Sequence, residues 1–242
     1  MRTVPDTGRL PLRSTHLEYI ATIKTDFPDK FGIPRQSGRI RDLQGIVVFE
    51  PKYRSADAVK GLGEFNYIWL LWEFDVPEPE SFHATVRPPR LGGNTRVGVF
   101  ATRSPFRPNR IGLSCVRLEE IRLTENGPEL IVSGVDMKDG TRIVDIKPYI
   151  PYTDCREDAT GSFAEELKDY RLTVKIPEEI LSVIPEEKRA GLTAVLAEDP
   201  RPSYHDDPAR IYGISYAGFN ISFQVCGNTL TVLNVLRLPQ NS

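Results

Sequence analysis

The chain is poor in the residues from which many sites are built. It has three cysteines, Cys115, Cys155 and Cys226, odd in number, far apart and without C-x-x-C spacing. That pattern argues against a disulfide frame and a zinc site, and leaves them to be read as small buried hydrophobes. It has three histidines, His16, His83 and His205, with no pair at metal-ligand spacing, so no bound metal is expected. No apolar run approaches the ~18 residues that a membrane span requires. The N-terminus carries no apolar stretch resembling a signal peptide, so a cytoplasmic protein without membrane attachment is expected. Nucleotide and hydrolase signatures are also missing. There is no G-x-x-x-x-G-K-[ST] and no G-x-S-x-G, and Cys115 has no evident histidine partner. Gly61-Leu-Gly63-Glu-Phe-Asn66 begins like a dinucleotide fingerprint but lacks the third glycine and a strand–loop–helix context, and reads as a plain turn. A cofactor, if there is one, is not held by a Rossmann unit.

What is present is arginine. Between Arg87 and Arg110 lie six, Arg87, Arg90, Arg96, Arg103, Arg107 and Arg110, with no Asp, Glu or Lys, in a chain of formal net charge -2. In Ala101-Thr-Arg-Ser-Pro-Phe-Arg-Pro-Asn-Arg-Ile-Gly112, Pro105 and Pro108 fix two φ angles and drive Ser104 and Arg107 out of helix. The guanidinium groups are thereby held on a stiff loop, which loses less entropy on binding an anion than a floppy arm does. The competing reading is a surface loop whose arginines pair with some of the chain's own 33 acids.

A chain of 242 residues that is 40% hydrophobic supports a real core. Its first 150 residues carry short apolar stretches at His16–Thr22, Gly45–Phe49, Tyr67–Phe74, Val97–Thr102, Ile111–Leu118, Glu129–Val135 and Ile143–Ile146. Their spacing predicts a mostly antiparallel barrel or sandwich, with a short helical turn at Ser55–Gly61. From about Asp158 the character changes. Ser162–Tyr170 and Pro177–Glu198 have helical spacing, the second broken near Pro185, and three strands follow between Arg210 and Leu236, where Phe219, Ile221, Phe223 and Val225 alternate with polar residues. The expected organisation is mainly β: a β-barrel domain over 1–157 and a small α+β domain over 158–242.

A second polar cluster runs from Asp136 to Tyr152. Asp139-Gly140 signals a turn, which predicts that Asp136 to Thr141 form a loop with backbone N–H groups open to a ligand. Asp145 and Lys147 are expected on one face of the following strand, as a catalytic pair or as an ordinary ion pair beside a hairpin. Tyr149 and Tyr152, flanked by Pro148 and Pro151, read as a rigid aromatic wall suited to a flat base or a cationic sulfonium.

Taken together, Phe31-Gly-Ile-Pro-Arg-Gln36, Val86-Arg-Pro-Pro-Arg-Leu-Gly-Gly93, Gly98-Val-Phe-Ala-Thr-Arg-Ser-Pro-Phe-Arg-Pro-Asn109 and Asp139-Gly-Thr-Arg-Ile-Val-Asp-Ile-Lys-Pro-Tyr149 resemble the TsaA-like family of TrmO-type tRNA methyltransferases. Four blocks in order are far more specific than one motif. Glu198-Asp-Pro-Arg-Pro-Ser-Tyr204 and the strands after it extend the likeness. The resemblance implies a non-Rossmann β-barrel that binds S-adenosylmethionine, works as a homodimer and methylates the exocyclic amine of threonylcarbamoyl-modified adenosine 3′ of the anticodon in tRNA. It implies cofactor contacts at Pro34, Arg35, Gln36, Arg103 and Leu113 and at Asp139, Gly140, Thr141 and Arg142. Asp75 stands where relatives commonly have His, and Arg142 where they often have Pro; Asp75 is carried over as a cofactor residue.

Methyl transfer to nitrogen is an in-line displacement that rests on alignment and exclusion of water. The urea-like N–H of the acceptor gains from a base, and Asp145 oriented by Lys147 is the expected pair. Arg107, Asn109, Arg110 and Tyr149 are expected to meet RNA, through a local basic patch on a net-acidic chain. Two other readings compete: a nucleotide- or RNA-binding module without catalysis, and a methyltransferase with another acceptor.

Overall fold

The computed structural model describes residues 17–77, 81–88, 95–162, 165, 169–201 and 207–239. Period-two burial builds its first half. In β1 (Ala21–Thr25), β2 (Gln44–Phe49) and β3 (Tyr67–Glu73) inward and outward side chains alternate; in β3, Ile68, Leu70 and Trp72 point in while Tyr67, Trp69 and Leu71 point out. A short ribbon of β4 (Thr85–Val86) and β5 (Val97–Gly98) follows, then β6 (Ile111–Thr124), β7 (Gly127–Ser133) and β8 (Thr141–Pro148). Six of these close into a barrel in the order β1-β2-β7-β6-β3-β8, and every neighbouring pair is antiparallel. Closure leaves no free sheet edge. Ile23, Val47, Ile68, Leu70, Val116, Leu130, Val132 and Ile143 fill the interior, so any ligand must bind at a mouth or on the outer wall.

Beyond the barrel come a single turn, α1 (Pro151–Asp154), then β9 (Thr173–Lys175), α2 (Glu178–Leu181), α3 (Glu186–Ala197), β10 (Ile211–Tyr216), β11 (Phe219–Cys226) and β12 (Thr229–Arg237). Pro185, at φ -53 and ψ 138, separates α2 from α3 because its backbone is extended. The second sheet has the order β10-β11-β12-β9, with β9 parallel to β12. Leu192, Val195 and Leu196 of α3 pack with Ile214, Ile221, Phe223 and Leu230, and this core is continuous with that of the barrel. Phe27 meets Tyr216 at 5.4 Å between ring centroids, and Lys188 reaches Asp26 at 2.6 Å. Glu198, at the end of α3, is 8% exposed and lies between Arg39 (2.9 Å) and Arg171 (2.7 Å).

Several sequence expectations need correction. The cysteines are not buried: Cys155 and Cys226 are exposed and Cys115 is intermediate, because one follows α1 and another ends β11 beside a turn. Val97–Thr102 is a strand only over Val97–Gly98, after which a 3-10 turn spans Val99–Ala101 and caps itself through Thr102. The first strand begins at Ala21; His16 lies outside the described residues, as do His205, Arg90 and much of the helix expected at Ser162–Tyr170. β9 was not anticipated. Among the described residues no helix is long and apolar enough to cross a membrane, and no three His, Cys, Asp or Glu side chains cluster as metal ligands.

Candidate functional site

The arginine loop leaves the 3-10 turn at Ala101 and returns to the barrel at Ile111. It ties itself down. Thr102 Oγ1 donates to Val99 O (2.8 Å) and accepts from Ser104 N (3.3 Å), Ser104 Oγ accepts from Phe106 N (3.2 Å), and Arg107 N donates to Pro105 O (2.9 Å). Its guanidinium groups divide by partner. Arg103 donates to Gln36 Oε1, Arg107 donates to Thr102 O (3.1 Å), and Arg110 donates to Val76 O (2.7 Å) and lies 3.6 Å from Glu73. Arg110 thus matches the competing reading of a loop arginine paired with the chain's own acid. Arg103 and Arg107 have no ion pair among the described residues.

This loop walls a cleft of about 510 Å³ at the barrel mouth. Four segments far apart in sequence meet there: Ile33 to Gln36, Trp72 to Val76, Thr102 to Leu113, and Asp136 to Lys138 with Thr141. Of the residues expected at the cofactor, Pro34, Arg35, Gln36, Asp75, Arg103, Leu113 and Thr141 line it together. Asp75 sits at the rim, paired with Lys138 (3.4 Å) and Lys30 (3.9 Å). Gly112 makes the cleft possible, since a Cβ there would lie 2.3 Å from the Trp72 ring. A wider groove of about 2000 Å³ adjoins it, lined by Arg87, Arg96, Arg103, Arg107 and Arg110 and by the exposed rings of Phe82, Phe100 and Phe106. Asn109 is exposed but lies outside the lining of both.

The acidic bend behaves differently from expectation. Three of its backbone N–H groups are not open: Asp139 N donates to Phe27 O (2.8 Å), Gly140 N to Ile23 O (2.9 Å) and Thr141 N to Lys138 O (3.1 Å). Asp139 Oδ1 in turn accepts from Thr25 N (2.9 Å), and Gly140 takes φ +75, where a side chain is disfavoured. Asp139 and Gly140 therefore hold the bend from behind the cleft. Arg142 points away from it, bonded to Glu73 (2.8 Å) and stacked 4.3 Å over Tyr19.

Sequence reasoning missed Asp136. Its half-buried carboxyl lines the cleft and accepts from Ser114 Oγ (2.6 Å), which itself accepts from Trp72 Nε1 (2.9 Å); the Ser37 amide also donates to it. Burial pushes its pKa up to about 6, against these donors and the nearby Arg103. No ion pair to it exists among the described residues. The available signal was an acid directly after the apolar run Glu129–Val135, where the chain is still inside.

Asp145 and Lys147 pair at 2.7 Å on the outer face of β8, and Asp145 Oδ1 accepts from Ile146 N (2.9 Å). They do not line the cleft. In register, Leu113 faces Leu71 and Leu71 faces Asp145, so two strand spacings, roughly 10 Å, separate Asp145 from the cleft wall. Tyr149 extends this face by packing on Trp69 (5.7 Å) and Tyr67 (6.3 Å), not on Tyr152, which is 88% exposed. Trp69 Nε1 donates to Asp154 Oδ2 (3.0 Å), which fastens α1 to the wall. Burial raises the Cys115 thiol pKa, which disfavours a nucleophilic role.

Comparison with known proteins gives a consistent answer. A profile of the tRNA-methyltransferase O N-terminal domain matches residues 22–155, and one of the TrmO C-terminal domain matches residues 169–238. A tRNA (adenine(37)-N6)-methyltransferase of Escherichia coli is 37% identical over 222 residues, covering 88% of this chain and 94% of that protein. One of Eikenella corrodens is 41% identical over 162 residues, covering 66% and 91%. The crystal structure of TrmO from Pseudomonas aeruginosa superposes with a TM-score of 0.76 at 31% identity, over 95% of this chain and 100% of that one. With both halves matched in order and the likeness running nearly end to end, the chain belongs to the tRNA-methyltransferase O family.

Proposed function

We propose that this protein is a cytoplasmic, homodimeric, S-adenosylmethionine-dependent methyltransferase that acts on the exocyclic amine of threonylcarbamoyl-modified adenosine 3′ of the anticodon in tRNA. The observation that carries the reading is the meeting of the arginine loop and the acidic bend in one cleft, in a chain whose relatives are named tRNA (adenine(37)-N6)-methyltransferases. The cleft suits the cofactor: it has apolar walls of Trp72, Phe74 and Leu113, a volume in the range of small-ligand sites, and a half-buried carboxylate with no cation of its own. When bound, S-adenosylmethionine supplies an electrophilic methyl group. Pro34, Arg35, Gln36, Arg103, Leu113 and Thr141 hold it, with Asp75 at the rim, while Asp139, Gly140 and Arg142 act from behind by fixing the bend.

Asp145, oriented by Lys147 at 2.7 Å, takes up the proton of the acceptor nitrogen through intervening water, since roughly 10 Å of wall across Leu71 and Leu113 separates it from the cleft; the pair itself supports this assignment. Arg107, with Asn109 beside it, faces the RNA; Arg110 lines the same groove and, paired with Glu73, meets the RNA as a braced cation, and Tyr149 offers a ring on the same outer wall as Asp145. A second copy is supported by the apolar character of that wall, where Leu113 is 48% exposed and Ile111 36%. A domain division near residue 158 is supported by the two matched profiles, one ending at 155 and the other beginning at 169.

The experiment is methyl transfer to tRNA that either carries or lacks the threonylcarbamoyl group, followed by mass spectrometry of the nucleosides. Methylated product from the modified tRNA alone is expected. Product from both, or from neither, refutes the stated substrate.

A further inference from the structure

We infer that Asp136 is the residue that senses the positive charge of the methyl donor, so that the cleft holds the cationic sulfonium form and releases the neutral thioether left after transfer. The inference rests on the methyltransferase reading above and adds to it a specificity-determining residue. The geometry is that of a counter-ion waiting for a partner. The Asp136 carboxyl is held at the cleft wall by Ser114 Oγ at 2.6 Å and by the Ser37 amide, and Ser114 is oriented in turn by Trp72 Nε1 at 2.9 Å. Those donors are neutral. The cleft it lines also presents Trp72, Phe74 and Met137, so a cation held there finds aromatic and thioether surface besides the carboxylate.

The other acid of the cleft cannot serve. Asp75 is at the rim and already faces Lys30 and Lys138. Arg103 of the arginine loop is the charged group that acts on Asp136, and Lys30, Arg35, Asp75, Arg107 and Lys138 are the other charged residues lining the same cleft. Of these, Arg35 and Arg103, already assigned to the cofactor, suit the donor's carboxylate end and leave Asp136 for its positive centre. Loss of that centre on methyl transfer removes the attraction, which favours departure of the spent donor.

The test is calorimetric binding of three compounds to the full chain: S-adenosylmethionine, the amine analogue sinefungin, and neutral-centred S-adenosylhomocysteine. At pH 7.5 the two cationic compounds are expected to bind about tenfold more tightly than the thioether. Below about pH 6, where Asp136 takes up a proton, that preference shrinks, and at pH 6 binding of a cationic compound releases a fraction of a proton, seen by comparing buffers of different ionisation heat. In Asp136→Asn the three affinities converge within about twofold at every pH while thioether binding persists. An Asn variant that keeps the full preference, a wild type that shows none, or cation binding without proton release overturns the inference and leaves the methyltransferase reading intact. Failure of all three compounds to bind the wild type defeats both.

Discussion

Two acids in this chain are taken from solvent in opposite ways. At the joint between barrel and C-terminal sheet, Glu198 lies between Arg39 and Arg171, at 2.9 and 2.7 Å. At the barrel mouth, Asp136 has a hydroxyl and an amide but no cation in contact, and its pKa rises to about 6. Taking a carboxylate out of water is costly unless a cation offsets it. Glu198 is offset inside the fold, by one arginine before the barrel's second strand and one just ahead of the C-terminal sheet's first. Asp136 is not, and the imbalance is what a ligand cation can relieve. Asp145 is a third case: its side chain is 43% exposed and paired with Lys147, so it is neither withdrawn from water nor left without a cation.

Substitutions can break this contrast, and the joint should respond most. Glu198→Ala removes a buried carboxylate that two arginines share, and should cost about 3 kcal/mol of unfolding free energy, read in urea titrations. A loss under 1 kcal/mol would mean that the pairing is not structural. Asp145→Asn should lower turnover by about 10²-fold with unchanged S-adenosylmethionine affinity; a matching loss of affinity would move it from proton transfer to binding.

Asp136→Asn should go the other way and stabilise. The sign follows from its raised pKa: the native state gains from protonating this group, so its contribution is full below the unfolded value of 3.8 and is lost as pH rises to about 6. Above pH 6 the ionised carboxyl is a net burden of about 2 kcal/mol, after allowance for its partial exposure. The Asn variant should therefore be more stable than wild type by about 2 kcal/mol at pH 7.5 and indistinguishable at pH 4, by the same titrations. Destabilisation at pH 7.5 would erase the contrast with Glu198. The smallest effect is expected on the cationic side. Arg107→Ala should weaken tRNA binding several-fold and reduce the slope of log affinity against log salt by about 1, leaving cofactor affinity unchanged.

Local pattern made much of this legible in sequence. Strict alternation gave β11 from Phe219 to Val225, and Pro185 marked the gap between α2 and α3. Pro105 and Pro108 announced a rigid arginine loop, and the loop does line the cleft. What was hidden depends on contacts between distant residues. β9 is three residues long and exists by pairing with β12, more than fifty residues later. Asp136 becomes unusual through Ser114 of β6 and the Ser37 amide, neither near it in sequence. The bend from Asp139 to Thr141 looked open because turn chemistry does not reveal that Phe27 and Ile23 accept two of its N–H groups. Cysteine burial failed for the same reason, since composition carries no information on which residue ends a strand.

In the proposed function the barrel-mouth cleft is the place where a methyl donor binds. Thermal unfolding with and without S-adenosylmethionine addresses this directly. At about 100 times the dissociation constant the ligand should add about 2.7 kcal/mol, a rise of roughly 5–11 °C for a chain of this size. An unchanged melting temperature at millimolar S-adenosylmethionine would contradict the assignment of the cleft.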